Sequence, residues 1–185
     1  MNSVRIIGGM WRRRVLRFPD SENLRPTPDR VRETLFNWLG QNLSGVSCLD
    51  LFAGSGALGF EALSRGASRV VMVERAPAVL AALKKNARML SAETRLQIID
   101  SDAVEFASLP PDRRFDVLFL DPPYGSGWVE RLTPFISRLA KENAFVYIEA
   151  EREVRECGDW RAARNGRAGQ VHFHLMRKVH PDGVE

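Results

Sequence analysis

The sequence predicts an α/β fold with a mostly parallel sheet that is covered by helices on both faces. Short apolar segments typical of buried strands alternate with helical segments over most of the chain's 185 residues. These strand-like segments are apolar throughout, as strands buried on both faces are. The length fits one domain, and 44% hydrophobic and 27% charged residues are typical of a globular protein.

The predicted elements of the main fold begin with a helix after Thr27 and end with a hairpin. Thr27 is a candidate N-cap, and Pro28 suits the first helical position. Strands are then expected at 46–51, 70–74, 95–99, 115–120 and 144–149, with helices at 57–65, 77–90, 103–108 and 129–140. Two further strands, 160–164 and 171–178 around a turn at 165–169, predict that the last strand is antiparallel.

A small β-hairpin is predicted ahead of this fold. Residues 4–9 and 10–18 are strand-like runs on either side of a pair of glycines. A single hairpin is too small to fold alone. We therefore expect residues 1–24 to be an extension of a main domain formed by residues 25–185.

Positive charge is concentrated at the two ends of a chain whose net charge is +4. Residues 1–17 contain five arginines and no acid, and residues 152–178 contain seven basic side chains against three acids. Residues 41–151 contain 12 basic and 14 acidic side chains. Basic ends around a nearly neutral centre indicate a polyanionic partner.

The same composition indicates a cytoplasmic protein without a membrane segment or a metal site. No apolar run reaches the length of a membrane span, and the arginine-rich start lacks the apolar core of a secretory signal. Cys48 and Cys157 are expected to be unpaired, as in a reducing compartment. His172 and His174 share a strand face without further ligands nearby, so we expect both to face solvent.

The most informative motif is a strand that runs into a glycine-rich loop and then into a helix. Gly54, Gly56 and Gly59 have the spacing of a dinucleotide-binding loop, and Glu74 follows 20 residues after Gly54, where an acid can accept ribose hydroxyls. NAD and S-adenosylmethionine sites share this pattern. Asp50 favours S-adenosylmethionine, because a carboxylate attracts the ammonium of its methionine part and repels a pyrophosphate.

A second position points to the same cofactor. Asp102 and Ala103 follow the third strand of the series, where a side chain can accept the adenine amino group. An NAD-dependent oxidoreductase is the remote alternative, because the sequence shows no hydride-accepting site with a paired acid or base.

The sequence Asp-Pro-Pro-Tyr at 121–124 forms the second motif. Its place at the carboxyl end of a central strand, with an acid and an aromatic ring, favours a ligand site over a rigid proline turn. Asp121 and the carbonyl of Pro122 can accept the two N–H groups of an exocyclic amine, and Tyr124 can stack on the base. Together the two motifs predict methyl transfer to a nucleobase nitrogen, with positioning supplying most of the rate.

Several sequence blocks resemble the RsmD family of bacterial 16S ribosomal RNA guanine-N2 methyltransferases. They are residues 25–36, which begin Arg-Pro-Thr, the loop at 50–59, the motif at 121–124 and, in the leading hairpin, residues 5–9. The resemblance covers nearly the whole chain. It implies a Rossmann-like class I methyltransferase fold with a seven-stranded sheet whose last strand is antiparallel. It also implies S-adenosyl-L-methionine as the cofactor and N2 of guanine 966 in 16S rRNA as the target.

The same resemblance assigns roles to individual residues. Thr27 would close over the cofactor, a role that is compatible with its use as an N-cap. The residues expected at the cofactor are Thr27, Asp50, Ala53, Gly54, Gly56, Glu74, Asp102 and Ala103, the last two at the adenine. The residues expected at the target base are Asp121, Pro122 and Tyr124.

Four arginines near the N-terminus, Arg5, Arg12, Arg13 and Arg14, are predicted to bind RNA phosphates, because no acid lies close to them in sequence. The alternative for the last three is a solvated strand edge that discourages aggregation. The target guanine must leave its stack or lie in a loop, because duplex RNA hides the base edge. We expect a monomer whose partner is 16S rRNA or the 30S ribosomal subunit.

Two other functions stay open from the sequence. The acceptor motif also suits the N6 amine of adenine, so an adenine-N6 DNA or RNA methyltransferase is the nearest alternative. A ribosome assembly factor that binds RNA and holds S-adenosylmethionine without catalysis belongs to a different class.

Overall fold

The computed structural model describes residues 1–20, 26–125 and 127–179. Its helices are α1 (Asp29–Leu39), α2 (Ala57–Ser64), α3 (Pro77–Met89), α4 (Ala103–Ser108) and α5 (Trp128–Leu139). Its strands are β1 (Asn2–Arg5), β2 (Val15–Phe18), β3 (Ser47–Asp50), β4 (Arg69–Glu74), β5 (Leu96–Asp100), β6 (Phe115–Leu120), β7 (Ala140–Ala150), β8 (Glu156–Cys157), β9 (Trp160–Ala168) and β10 (Val171–Lys178). No described helix is long and apolar enough to cross a membrane. The predicted boundary between residues 24 and 25 lies outside the described residues.

Eight of the strands form one sheet in the order β5-β4-β3-β6-β7-β10-β9-β8. The strands from β3 to β7 pair in parallel, and β10 runs antiparallel to both β7 and β9. The predicted α/β class, the mostly parallel sheet and the antiparallel last strand are confirmed. The sheet has eight strands where seven were expected, because the two-residue β8 pairs with the outer edge of β9.

Side chains of the parallel strands alternate between two cores, one on each face of the sheet. Cys48 belongs to the core that includes α1, α2 and α3, and its neighbour Leu49 belongs to the core that includes α4 and α5. Both side chains are fully buried. A strand with helices on both sides has to be apolar at nearly every position, because successive residues point to opposite faces. This is why continuous apolar runs located these strands.

The N-terminal hairpin packs into the first of these cores. β1 and β2 pair from Asn2 with Phe18 to Arg5 with Val15, so the turn spans residues 6–14 and is longer than the glycine pair predicted. Five apolar side chains of the hairpin are buried in the same cluster as those of α2 and α3: Val4, Ile6, Trp11, Leu16 and Phe18. The hairpin therefore shares its core with the main fold.

A buried ionic network fastens the hairpin to α1 and α2. The two oxygens of Glu61 accept backbone N–H groups of the hairpin turn, from Ile7 at 2.8 Å and from Gly8 at 2.7 Å. The same carboxylate contacts Arg65 at 2.9 Å and Arg32 at 3.4 Å. The side chains of Glu61 and Arg32 have no exposed surface. Charges removed from water in this way are tolerated because both oxygens of the carboxylate have partners.

Two details of the C-terminal region differ from the prediction. β9 continues to Ala168, so the closing hairpin turns after that residue and not at 165–169. Gly166 permits this course, because a Cβ atom there would lie 2.3 Å from the ring of Phe173 on the paired strand. The solvent-facing position predicted for His174 is wrong. Its ring is buried, and Nε2 accepts the backbone N–H of Val154 at 3.1 Å, which fixes the segment after β7.

Replacing Glu61 by glutamine should destabilise the fold strongly. Glu61→Gln leaves the guanidinium groups of Arg32 and Arg65 buried without the carboxylate between them, a defect that costs about 3 kcal/mol. Urea denaturation should show this loss of unfolding free energy. The matched control, Glu33→Gln on the exposed side of α1, should change it by less than about 0.5 kcal/mol. A loss as small as that of the control would contradict the stabilising role of the network.

Candidate active site

Four acidic side chains converge at the carboxyl edge of the sheet. Asp50 ends β3, Glu74 ends β4, Asp121 directly follows β6, and Glu149 is the penultimate residue of β7. The strand order reverses between β3 and β6, because β4 and β5 extend the sheet on one side and β7 extends it on the other. Open α/β sheets bind ligands in this kind of crevice. The glycine loop and the Asp-Pro-Pro-Tyr motif therefore lie on neighbouring strands at one edge.

Glu74 ties the glycine loop to the end of β4. The backbone N–H of Gly54 donates to Oε2 of Glu74 at 3.1 Å, and Oε1 accepts from Arg75 at 2.8 Å and Ala76 at 2.9 Å. Gly54 and Gly56 have φ angles of +48° and +79°, which side-chain-bearing residues rarely adopt. The loop thus depends on glycine at both positions, and the carboxylate at the end of β4 is held in a fixed orientation.

Ala53 and Gly59 complete the loop. The carbonyl of Ala53 accepts the N–H of Gly56 at 2.7 Å, which closes a tight turn before α2. Gly59 lies inside α2, where a Cβ atom would be 2.4 Å from Cε of Met72 on β4. The third glycine of the motif therefore serves close packing between helix and strand, while the first two shape the binding loop.

Asp50 is a buried carboxylate with an open acceptor. It is 1% exposed, and its Oδ1 atom has no hydrogen-bond partner within the described part of the chain. Burial, followed by the charge of Asp121, raises the pKa of Asp50 to about 7, although backbone N–H groups of Phe52 and Gly59 act in the other direction. Such a carboxylate is stabilised by a cationic partner. The ammonium of S-adenosylmethionine is a group of this kind, so the residue fits the predicted cofactor.

Asp102 caps α4, a role that the sequence analysis did not assign to it. Its Oδ1 accepts the backbone N–H groups of Val104 at 2.8 Å and Glu105 at 3.4 Å, and Oδ2 pairs with Arg75 at 3.2 Å. Ala103 is the buried first residue of that helix. Both residues lie after β5 at the same edge as Glu74, so their predicted place beside the adenine stays a prediction.

Thr27, Asp121, Glu149 and Tyr147 form a chain of hydrogen bonds at the centre of the site. Thr27 Oγ1 donates to Oδ2 of Asp121 at 2.9 Å, and the Tyr147 hydroxyl donates to Oε1 of Glu149 at 2.8 Å. Glu149 also hydrogen-bonds to Asp121. The N-cap role predicted for Thr27 is wrong, because Pro28 occupies that position and no side chain caps the helix. The threonine hydroxyl orients Asp121 instead.

Asp121 and Glu149, the two carboxyl groups of this hydrogen-bonded cluster, together hold one proton near neutral pH. Burial and the charge of Asp121 raise the pKa of Glu149 well above its usual range. Burial also raises the pKa of Asp121, but the hydrogen bonds from Thr27 and Glu149 oppose that shift. Two carboxylates in contact cannot both ionise easily. Glu149 therefore holds the proton and donates it in a hydrogen bond, and Asp121 is the ionised partner.

Aromatic side chains line the mouth of the site. Tyr124 is 52% exposed, and Pro122 of the same motif is buried. Phe52, in the loop after β3, packs edge-to-face on Trp128 at the start of α5, with ring centroids 5.2 Å apart. This contact joins the segment that follows Asp50 to the helix that follows Tyr124. The sequence analysis assigned no role to either ring of the pair.

The four predicted RNA-binding arginines divide into two groups. Arg5 lines a cavity of about 320 Å³ together with Thr27, so it lies beside the site. Arg14 donates to the carbonyl of Met89, the last residue of α3, at 3.1 Å, and the turn that carries Arg12 and Arg13 packs against the end of α2. Both helices start at the carboxyl edge and run away from it. The structure therefore places these three arginines at the opposite edge of the sheet, in a turn and not on a strand edge.

Glu149 is the most important residue that the sequence analysis missed. The sequence does indicate it. Glu149 is a charged residue at the end of an apolar strand, and that strand was expected to lie in the same parallel sheet as the strand before Asp121. Parallel strands end at one edge, so such a residue belongs beside the other motifs. No group of three histidine, cysteine or acidic side chains within the described ranges is arranged to hold a metal ion.

The relationship to known proteins follows from a family comparison. The family described as conserved hypothetical protein 95 matches residues 4–177, which is nearly the whole chain. The chain belongs to this family. It is the RsmD family, which the sequence blocks predicted.

Individual members of the RsmD family match over most of their length. Ribosomal RNA small subunit methyltransferase D of Haemophilus influenzae is 44% identical over 180 residues, which cover 94% of this chain and 93% of that protein. The protein of the same name from Escherichia coli strain K12 is 42% identical over 181 residues, covering 95% and 90%. The solved structure of yhhF from Escherichia coli has 40% sequence identity and a TM-score of 0.86, covering 96% of this chain and 98% of that chain.

A more distant neighbour bears on the fold alone. An RNA methyltransferase from Salinibacter ruber, solved in complex with S-adenosyl-L-homocysteine, matches with a TM-score of 0.66 at 16% identity. The match covers 87% of this chain and 99% of that chain. The predicted class I methyltransferase fold of this RsmD-family chain is thereby confirmed.

The shared proton makes stability depend on pH. Because the pKa of Glu149 is raised on folding, the unfolded chain releases a proton at about pH 4.3 that the folded chain keeps. The free energy of unfolding should therefore fall as the pH rises from that value towards the raised pKa. Glu149→Gln cannot ionise, so urea denaturation should show a smaller fall between about pH 5 and about pH 8.

The control for this experiment is Glu151→Gln, two residues further along and exposed, which should follow the wild-type pH dependence. Equal pH dependence in wild type and Glu149→Gln would contradict a proton held by Glu149.

Proposed function

We propose that this protein transfers a methyl group from S-adenosyl-L-methionine to N2 of a guanine in 16S rRNA, at position 966 by resemblance to its family. The observation that carries the proposal is the meeting of Asp50 and the Asp121–Pro122 corner on adjacent strands. An open carboxylate for a cationic cofactor lies next to acceptors for an amine. The names of the curated relatives support rRNA of the small subunit as the substrate class.

The residues of the glycine loop would hold the cofactor. Asp50 would pair with the ammonium, the backbone at Gly54 and Gly56 would approach the ligand closely, and the fixed carboxylate of Glu74 would accept ribose hydroxyls. Asp102 and Ala103 would lie at the adenine, with Ala53 at the turn of the loop. When bound, S-adenosylmethionine supplies an electrophilic methyl group on a sulfonium.

The Asp121–Tyr124 corner would activate the target amine. An exocyclic amine is a poor nucleophile, because its lone pair is delocalised into the ring. Asp121 and the carbonyl of Pro122 would accept its two N–H groups, which favours a pyramidal nitrogen with its lone pair directed at the methyl carbon. A nitrogen that gains a methyl group becomes positively charged and must release a proton, and Asp121 would accept that proton.

Thr27 and Glu149 would position this acceptor. Each directs a hydrogen bond at Asp121, so the carboxylate cannot rotate freely and its remaining lone pairs face the crevice. A protonated Glu149 also prevents a second negative charge from forming beside the amine. Preorganised groups of this kind lower the barrier without reorganising during the reaction.

The proposed substrate explains the exposed aromatic ring at the entrance. The half-exposed ring of Tyr124 would stack on a base that has left its helix, and Arg5, which lines the cavity beside Thr27, would contact a phosphate. An enzyme with this substrate acts in the cytoplasm, on free rRNA or on 30S particles.

Incubation with 30S subunits from a strain lacking the enzyme tests the proposal. Wild type with labelled S-adenosylmethionine should produce N2-methylguanosine, identified by mass spectrometry of the nucleosides. Asp121→Ala should lose at least about 10²-fold in kcat, because it removes an acceptor of the reacting amine. Asp121→Asn, which keeps one acceptor oxygen, should lose less.

Cofactor binding, measured separately by calorimetry, should be retained in both Asp121 variants. N6-methyladenosine as the product would replace the proposal by the adenine alternative. Methylation that survives intact in Asp121→Ala would contradict the role of the corner, and an absence of any methylated nucleoside would favour a binding role.

Asp50 should control cofactor affinity. Asp50→Asn removes the charge that pairs with the ammonium, and losing one partner of a buried pair costs about 2 kcal/mol or more, which is roughly 30-fold in Kd. In wild type, affinity should rise as the pH increases towards about 7, because Asp50 must lose its proton to bind a cation. Titration calorimetry of the two proteins at several pH values measures both effects. A wild-type Kd for Asp50→Asn would refute this assignment.

A further inference from the structure

The turn between β9 and β10 lies at the same edge of the sheet as the candidate active site. Ala150, at the end of β7, pairs with His172 on β10, and His172 pairs with Arg167 on β9. Because β9 and β10 are antiparallel to each other, their connecting turn sits beside the carboxyl end of β7. Two strand spacings separate Arg167 from Ala150, which is about 10 Å in the plane of the sheet.

The basic side chains of this hairpin have different partners along its length. At the end away from the site, Arg161 pairs with Glu156 at 3.1 Å, and Lys178 pairs with Glu142 at 3.2 Å. Nearer the site, Arg164 in the middle of β9 and Arg167 near its end are exposed, and neither forms an ion pair with any described residue. Arg177 at the far end is also exposed and forms no ion pair with a described residue, but its guanidinium lies 4.6 Å from the centre of the Phe145 ring. Arg164 and Arg167 are the hairpin arginines that lie nearer the crevice.

Arg164 and Arg167 project from opposite faces of the hairpin. Arg164 and Arg167 are three residues apart in a regular part of β9, so strand alternation places their side chains on opposite faces. The Nε atom of Arg167 donates to the carbonyl of Gly169 at 2.9 Å, which holds the guanidinium at the turn. An RNA strand that crosses the end of the hairpin could therefore meet positive charge on either face.

The position of these residues contrasts with that of the arginines in the N-terminal turn. Arg14 is fixed at the last residue of α3, and a 13-residue helix is about 20 Å long. The N-terminal turn is therefore about that far from the carboxyl edge. The end of the β9–β10 hairpin lies at the edge itself. Its distance of about 10 Å from the end of β7 corresponds to about three stacked nucleotides.

We propose that the end of the β9–β10 hairpin, defined by Arg164, Asn165, Arg167, Gly169 and Gln170, binds the phosphate backbone of the substrate RNA next to the target nucleotide. The inference rests on the proposed function and adds a surface to it. Phosphate contacts of this kind fix the register of the RNA over the crevice without reading its sequence. Exposed arginines without competing acids are the side chains suited to that task.

The experiment compares two double variants of the full-length protein that remove the same charge from the two ends of one hairpin. Arg164→Gln/Arg167→Gln removes the pair nearer the crevice. Arg161→Gln/Arg177→Gln removes the cross-strand pair at the far end. Binding of 30S subunits is measured without cofactor at several salt concentrations, and methylation is measured with cofactor. Thermal unfolding and cofactor affinity confirm that both variants are folded.

The Arg164→Gln/Arg167→Gln variant should behave as a protein that has lost two phosphate contacts. The slope of log K against log salt should become shallower by about 1.5, and Kd should rise roughly 25-fold at 0.1 M salt. KM for the RNA should rise with kcat nearly unchanged, because these contacts are the same in the ground state and the transition state. The far pair should retain the wild-type slope and Kd within about twofold.

Three outcomes would overturn the inference. If Arg164→Gln/Arg167→Gln binds and methylates 30S subunits like wild type, the inference is wrong while the proposed function stands. If both double variants weaken binding equally, the effect is one of net charge and not of this surface. If wild type neither binds nor methylates 30S subunits, the proposed function and the inference are both wrong.

Discussion

The close approach of Asp50, Asp121 and Glu149 in a largely buried crevice is the constraint around which the rest of the site is arranged. Three carboxyl groups with little water around them repel one another, and the molecule relieves this repulsion by different means. Glu149 keeps a proton, Asp121 receives hydrogen bonds, and Asp50 is left with an open oxygen. A buried carboxylate oxygen without a partner among the described residues is stabilised by positive charge nearby. In the proposed function, this arrangement suits a cationic ligand at Asp50 and an amine donor at Asp121.

Secondary structure explains why these groups meet. Parallel strands deliver their last residues to one edge, and the reversal of strand order between β3 and β6 opens a gap there between the loops. Glu74 accepts three backbone hydrogen bonds, one of them from Gly54 of the glycine loop, and the contact of Phe52 with Trp128 closes the other wall. The positions of the charged groups are therefore set by backbone and apolar packing. The charges themselves repel one another and destabilise the site, and the packing offsets this repulsion.

Features that depend on local spacing were predictable from the sequence, and features that depend on long-range pairing were not. The glycine loop, the acceptor motif and the apolar strands could be located because each is a contiguous signal. Thr27 was misread as a cap, because only the folded chain shows Asp121 within reach of its hydroxyl. Clustered charge suggested Arg12 to Arg14 as RNA ligands, yet the position of the turn depends on how the hairpin docks on α2 and α3. His174 was assigned to solvent because strand alternation does not reveal which face another segment covers.

The docking of the hairpin on Glu61 has a consequence for how this fold can vary. Arg32 also donates to the carbonyl of Thr27, so the same buried cluster touches the segment that orients Asp121. The first 20 residues are thus not a detachable module that could be exchanged between relatives to alter RNA preference. A transplanted hairpin would have to bring backbone donors that match the acidic group on α2, or the segment that carries Thr27 would lose its support. If the β9–β10 hairpin binds RNA as proposed, substrate recognition can diverge more easily there, because its exposed Arg164 and Arg167 form no ion pair with a described residue.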